Sequence, residues 1–234
     1  MIAARKAKFA GDMCEVAIDA GGEVLEGTMT IPQGAKGLVL FAHGNGSSRQ
    51  SPRNQFVAEV LQENGLATLL FDLLTRKEES VDVYTAQLRF DIPFLANRLA
   101  GATYWALRNP DTRDLKLGYF GASTGAAAAL VAASELAADV GAVVSRGGRP
   151  DLAAGALRSV EAPTLLLVGS EDTPVVSMNR AAFAILGCRD KKLVIVPGAT
   201  HLFEEPGTLE EVAKAAGEWF TRHLGKTSRR EEAA

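Results

Sequence analysis

Short, wholly apolar runs alternate along the chain with longer stretches in which apolar residues return every three or four positions. The runs are Leu38–Ala42, Ala67–Leu73, Leu115–Phe120, Gly141–Ser145, Thr164–Val168 and Leu193–Val196. A strand that is apolar at nearly every position is buried on both faces, as in a parallel sheet covered by helices. Between the runs lie helical patterns. Ser51-Pro52 suits a helix N-cap and first position, Phe56, Val57, Val60 and Leu61 share one face, and Gly65 supplies the stop. Asp91–Leu107 reads as a helix that ends before Asn109-Pro110. Thr124–Ala138 is an alanine-rich helix and Ser177–Leu186 another. Thr208 and Glu211 have the spacing of a capping box for a last helix reaching about Leu224. Cys14–Asp19 and Val24–Ile31 flank Gly21-Gly22 and predict a hairpin. Residues 74–82 are charged and are expected to form a loop, and the charged tail 227–234 is expected to fray.

A hairpin followed by repeated strand–helix units predicts an α/β fold, with a mostly parallel central sheet and helices on both faces. The 234 residues fit one domain over 1–226. Lys+Arg number 25 against 28 Asp+Glu, a net charge of −3, which lacks the basic excess of a nucleic-acid binder. No apolar run approaches the roughly 18–20 residues that cross a bilayer, so no membrane association is expected. Met1–Lys8 carries positive charges, but no apolar segment of signal-peptide type follows. Two cysteines, Cys14 and Cys188, make no disulfide framework and point to a reduced, cytoplasmic setting. The histidines His43, His201 and His223 lack metal-ligand spacing, so no metal and no cofactor is expected.

In such sheets ligands bind outside the carboxyl ends of the strands, so the loops there are the place to look. Gly121-Ala122-Ser123-Thr124-Gly125 matches G-x-S-x-G and lies between a strand and a helix, the context of a nucleophile elbow. That turn is so tight that its flanks must be small, and it presents the Ser123 hydroxyl at a helix N-terminus, where developing negative charge is favoured. The competing reading is a glycine-rich turn with a capping serine. A serine nucleophile needs a base. His201 follows the last strand on the same side of the sheet, whereas His223, beside Arg222 in the last helical turn, reads as a surface cation. The base needs an orienting carboxylate. Asp172 follows the strand Thr164–Val168; Glu171 and Asp151 are the alternatives. An oxyanion needs two donors. The N–H of Thr124 is one, and the loop His43-Gly44-Asn45-Gly46 offers the N–H of Asn45 as the other, with His43 a support for that loop.

These residues resemble the α/β-hydrolases of the dienelactone-hydrolase-like group, nearly end to end. Ser145-Arg146-Gly147-Gly148-Arg149-Pro150-Asp151 and Pro197–Pro206 are most similar to small hydrolases fused or neighbouring to phosphoribosyltransferases, which leaves such a partner open. The resemblance implies a Ser123–Asp172–His201 triad with oxyanion amides at Asn45 and Thr124. The namesake enzymes use cysteine as nucleophile, so Ser123 points away from dienelactone hydrolysis and towards a general esterase. Epoxide hydrolases and haloalkane dehalogenases place Asp at the elbow and are excluded.

The expectation is therefore a serine hydrolase acting on a small-molecule ester of a small acyl group. A thioesterase or acyltransferase with the same triad, and a non-catalytic binding module on the same scaffold, are the alternatives. The span from Ser145 to Thr164 is too short for a large lid. Tyr84, Phe90 and Leu74 are expected either to line an acyl pocket or to pack. Arg49, Arg53, Arg76, Arg146 and Arg149 fall near strand ends, and Arg146 is the candidate for an anionic part of the substrate; the alternative is that all are solvated. Monomer and homodimer are both open.

Overall fold

The computed structural model describes residues 11–153 and 155–225, so the tail 227–234 lies outside the described residues. One eight-stranded sheet contains β1 (Asp12–Asp19), β2 (Val24–Ile31), β3 (Leu38–Ala42), β4 (Ala67–Phe71), β5 (Leu117–Ala122), β6 (Val140–Arg146), β7 (Thr164–Gly169) and β8 (Lys191–Val196). Their spatial order is β1-β2-β4-β3-β5-β6-β7-β8. The β1–β2 hairpin pairs antiparallel onto β4, and every other neighbouring pair is parallel. The chain steps outward from β3 to β4, then returns past β3 to β5. The carboxyl ends of β3 and β5 therefore flank the point where the winding reverses, where ligands bind in such sheets.

Successive strand residues point to opposite faces. Leu38, Leu40 and Ala42 of β3 join one core with helices α3 (Ile92–Arg108), α4 (Thr124–Glu135) and α5 (Thr173–Ile185). Val39 and Phe41 join the other, with α1 (Pro52–Glu63) and α6 (Thr208–Leu224). Phe41 and Phe120, with ring centroids 5.0 Å apart, tie β3 to β5 near their carboxyl ends. Burying each ring is worth about 1.5–3 kcal/mol.

Three local expectations are corrected. Residues 76–85 form a helix, α2 (Arg76–Thr85), where a loop was expected over 74–82. The signal was Thr75-x-x-Glu78, a complete capping box: Thr75 Oγ1 accepts from Glu78 N–H, and Glu78 Oε2 accepts from Thr75 N–H at 2.7 Å. α2 lacks an apolar stripe because it docks through polar groups, Arg98 on Glu78 at 2.5 Å and Asp82, which is 2% exposed. Conversely, Thr208 forms no capping box. Gly207 is the N-cap, left-handed at φ 86°, and the Thr208 hydroxyl donates back to Glu205 O instead. α5 starts at Thr173, four residues before Ser177, because Pro174 fits a first turn, where an N–H would have no intrahelical acceptor and proline has none to lose. Ser51 precedes α1, as expected, but makes no side-chain cap.

Candidate active site

The turn from β5 into α4 puts Ser123 at φ 52°, ψ −120°. A non-glycine residue pays of order 1–3 kcal/mol for such a conformation. The surrounding packing enforces it. A Cβ at Gly121 would stand 2.4 Å from Ala126 Cα, and one at Gly125 would stand 2.1 Å from Ala42 O, so neither position admits a side chain. The Ser123 backbone is pinned as well: its N–H donates to Arg146 O, and its carbonyl accepts from Ala126 and Arg149.

His201 and Asp172 come from the loops after β8 and β7. The His201 Nδ1–H donates to Asp172 Oδ2 at 2.6 Å, so in the neutral ring the lone pair is on Nε2. Asp172 is the N-cap residue of α5 yet caps nothing with its side chain, which goes to His201 instead. The loops approach this closely because Gly169 has no side chain; a Cβ there would meet Ala199 O at 2.2 Å. Glu205 braces the histidine loop by accepting from Thr200 N–H and from the Thr200 hydroxyl, and those bonds hold its carboxyl below the ordinary range. The two other carboxylates are engaged elsewhere: Glu171 accepts from Ser170 Oγ, and Asp151 takes two bonds from Arg149. Ser123 Oγ makes no hydrogen bond to His201 in this structure; such contacts are often long without substrate and tighten when it binds.

The loop after β3 packs against the elbow. A Cβ at Gly44 would stand 2.9 Å from Ala122 O and from Ser123 Cβ, so only glycine permits this approach. His43 is buried. Its Nε2 accepts from Leu73 N–H at 3.1 Å and its Nδ1–H donates to Gly44 O at 3.0 Å, bonds that together require the neutral ring. Burial lowers its pKa in the same sense. The Asn45 N–H donates to Thr124 Oγ1 at 3.0 Å, so the two loops expected to supply oxyanion donors are hydrogen-bonded to each other.

Beside this loop lies a cavity of about 200 Å³ walled by Gly44, Asn45, Leu74, Asp82, Arg89 and Thr124 among others. Tyr84 and Phe90 are not in its wall; they are 89% and 51% exposed. Leu74 is. Asp82, in α2, and Arg89, in the short 3-10 turn Leu88–Phe90 that follows it, are wall residues that no sequence motif marks, since their pairing with each other forms only when the segment folds. Burial disfavours the Asp82 carboxylate, but Arg89 Nε and Leu88 N–H outweigh it and hold the pKa low. Arg89 also donates to Asn45 Oδ1 at 3.2 Å.

The loop arginines are not equivalent. Arg49 pairs with Asp72 and Glu26, Arg53 with Glu204, Arg76 with Glu26 and Arg149 with Asp151. Arg146 is buried with no carboxylate partner among the described residues and lies over the Phe203 ring at 5.9 Å. Burial, reinforced by the charge of Arg53, pushes its pKa down to about 10. His223 is not a solvated cation. Its side chain is 13% exposed, packs on Trp219 and stands 3.4 Å from Asp190. Among the described residues no cluster of His, Cys, Asp and Glu is arranged to hold a metal ion, and no helix is long and apolar enough to cross a membrane.

The family model of the dienelactone hydrolase family matches residues 25–225. A solved dienelactone hydrolase from Anabaena variabilis is 60% identical, with a TM-score of 0.89 over 91% of this chain and 98% of its own. Est1E from Butyrivibrio proteoclasticus shares the fold at 17% identity, with a TM-score of 0.74 over 91% of this chain and 99% of its own. Two proteins of Mycobacterium tuberculosis whose names carry the term phosphoribosyl transferase are each 56% identical over 210 residues, which is 90% of this chain and 46% of theirs. The chain thus spans about half the length of the curated relatives it matches.

Proposed function

The chain belongs to the dienelactone hydrolase family, and from that premise we propose that it is a serine hydrolase of carboxylic esters with small acyl groups. Ser123 is the nucleophile, His201 the base and Asp172 its orienting carboxylate. The observation that carries the reading is the conjunction at one sheet end of a strained serine, φ 52°, with a histidine whose Nδ1–H is held by a carboxylate at 2.6 Å.

In this mechanism His201 Nε2 takes the Ser123 proton as Oγ attacks the acyl carbonyl. The tetrahedral oxyanion is met by the N–H groups of Thr124 and Asn45, the latter exchanging Thr124 Oγ1 for the substrate oxygen. His201 then passes the proton to the leaving alcohol. Water, deprotonated by the same imidazole, hydrolyses the acyl-enzyme. Asp172 stabilises the imidazolium in both half-reactions. No step calls on a cofactor. The Ser123 hydroxyl, rather than a thiol, favours simple esters over dienelactones.

Hydrolysis of p-nitrophenyl acetate, butyrate and octanoate by wild type and Ser123→Ala tests this, together with labelling by a fluorophosphonate. The expected result is activity that falls with chain length, disappears in the variant and is blocked by stoichiometric labelling of Ser123. Full activity in Ser123→Ala, or labelling elsewhere, would overturn the assignment.

A further inference from the structure

Arg146 is the last residue of β6 and is 8% exposed. Its Nε and Nη1 are sealed from solvent with no acceptor among the described residues, which leaves Nη2 as the nitrogen through which it is reached. A buried guanidinium without a counter-charge carries a large desolvation cost, and folded proteins normally match such a charge. Here the charge it feels is of like sign, that of Arg53 in the first turn of α1. Arg53 Nε is likewise sealed without an acceptor, and the carboxylate Arg53 does meet, Glu204 at 3.3 Å, is 63% exposed.

The position matters as much as the charge. The Arg146 carbonyl accepts from Ser123 N–H. Gly147 lies against the His201 ring, 3.5 Å from where its own Cβ would be. Phe203, whose ring lies under the Arg146 guanidinium, is two residues past His201. Arg146 therefore borders the elbow and the histidine loop together.

We infer that Arg146, with Arg53 beside it, forms a subsite for an anionic group on the substrate, a phosphate in preference to a carboxylate. The inference rests on the esterase reading and adds the charge of the group the site accepts. Two guanidinium forks present more N–H donors than the two oxygens of one carboxylate can accept, whereas a phosphate group offers three acceptor oxygens.

The test uses inorganic phosphate and glutarate as competitors of p-nitrophenyl butyrate hydrolysis at constant ionic strength, which removes general screening. Phosphate is expected to compete, and more tightly than glutarate. Its inhibition constant is expected to rise about 10- to 100-fold in Arg146→Met, the loss typical of a charge-assisted bond, with part of it restored in Arg146→Lys. Should Arg146→Met fail to fold, Arg53→Met must show a rise in the same direction. Absence of competition by phosphate, or an unchanged constant in the folded variants, overturns the subsite; tighter binding of glutarate overturns its assignment to phosphate. Calorimetric titration of phosphate into the Ser123→Ala protein reads the subsite without turnover. Phosphate binding there, alongside an inert wild type, would refute the esterase reading and leave the subsite standing.

Discussion

Replacing Asp172 by Asn removes one charge and leaves the volume of the side chain nearly unchanged. In the structure Asp172 Oδ2 stands 2.6 Å from His201 Nδ1. When His201 takes the serine proton, the centres of the new imidazolium and the carboxylate are about 4 Å apart. At an effective dielectric of about 20 their attraction is about 4 kcal/mol. The carboxylate is 13% exposed but the imidazole 39%, so solvent screens part of this and about 2–4 kcal/mol is the fairer range. At about 1.4 kcal/mol per decade, kcat for p-nitrophenyl butyrate falls about 30- to 700-fold. KM changes little, because the attraction exists only once the proton has moved. The control is Glu171→Gln, which alters the neighbouring carboxylate that accepts from Ser170 and is expected to stay within about 2-fold of wild type. Circular dichroism and thermal melting establish that both variants are folded. Asp172→Asn retaining more than a third of wild-type kcat, or Glu171→Gln showing the large loss in its place, refutes the argument.

Ser123→Gly is expected to abolish ester hydrolysis and raise Tm by about 2–4 °C: glycine relieves a conformation costing about 1–3 kcal/mol, its own flexibility takes back about 0.5–1 kcal/mol, a net gain of about 1 kcal/mol remains, and the Ser123 hydroxyl makes no cap to lose; a lower Tm, read by calorimetry, contradicts the strain. Stability is expected to fall below about pH 6.5 through His43. Its pKa is depressed in the folded state, so the unfolded chain binds the proton first, and ΔG rises with pH through the unfolded value near 6.5 and is lost as pH falls below it. The contribution from this one group is at most about 1.4 kcal/mol per pH unit, and denaturant melts at pH 5 to 8 should show a flatter profile in His43→Gln. The Thr75→Ala protein loses the capping box of α2 and about 1 kcal/mol of local stability. Faster amide exchange within residues 76–85, with the rest of the protein unchanged, is the expected reading; uniform protection across α2 counts against it.

Signals carried by neighbours in the chain were legible in the sequence. The apolar runs located β3 to β8 to within two residues, most directly β3 to β7, where burial on both faces leaves little polar to blur the pattern, and Gly21-Gly22 marked the β1–β2 hairpin. Gly121-x-Ser123-x-Gly125 announced the elbow, because a tight turn demands small residues at fixed offsets from the one it presents. The spacing of Asp172 and His201 after their strands placed both at one end of the sheet. What lay beyond reach was pairing across strand ends. Whether Arg49 meets Asp72, or Arg76 meets Glu26, depends on β4 lying between β2 and β3, and the local sequence does not encode that order. α2 was missed for a related reason. Its stability comes from its cap and from ion pairs with distant residues, and periodicity registers neither. That Arg146 alone among the five loop arginines meets no carboxylate of the described residues is likewise a fact of assembly. A charge finds its partner through space, while a strand or a tight turn is specified by residues adjacent along the chain.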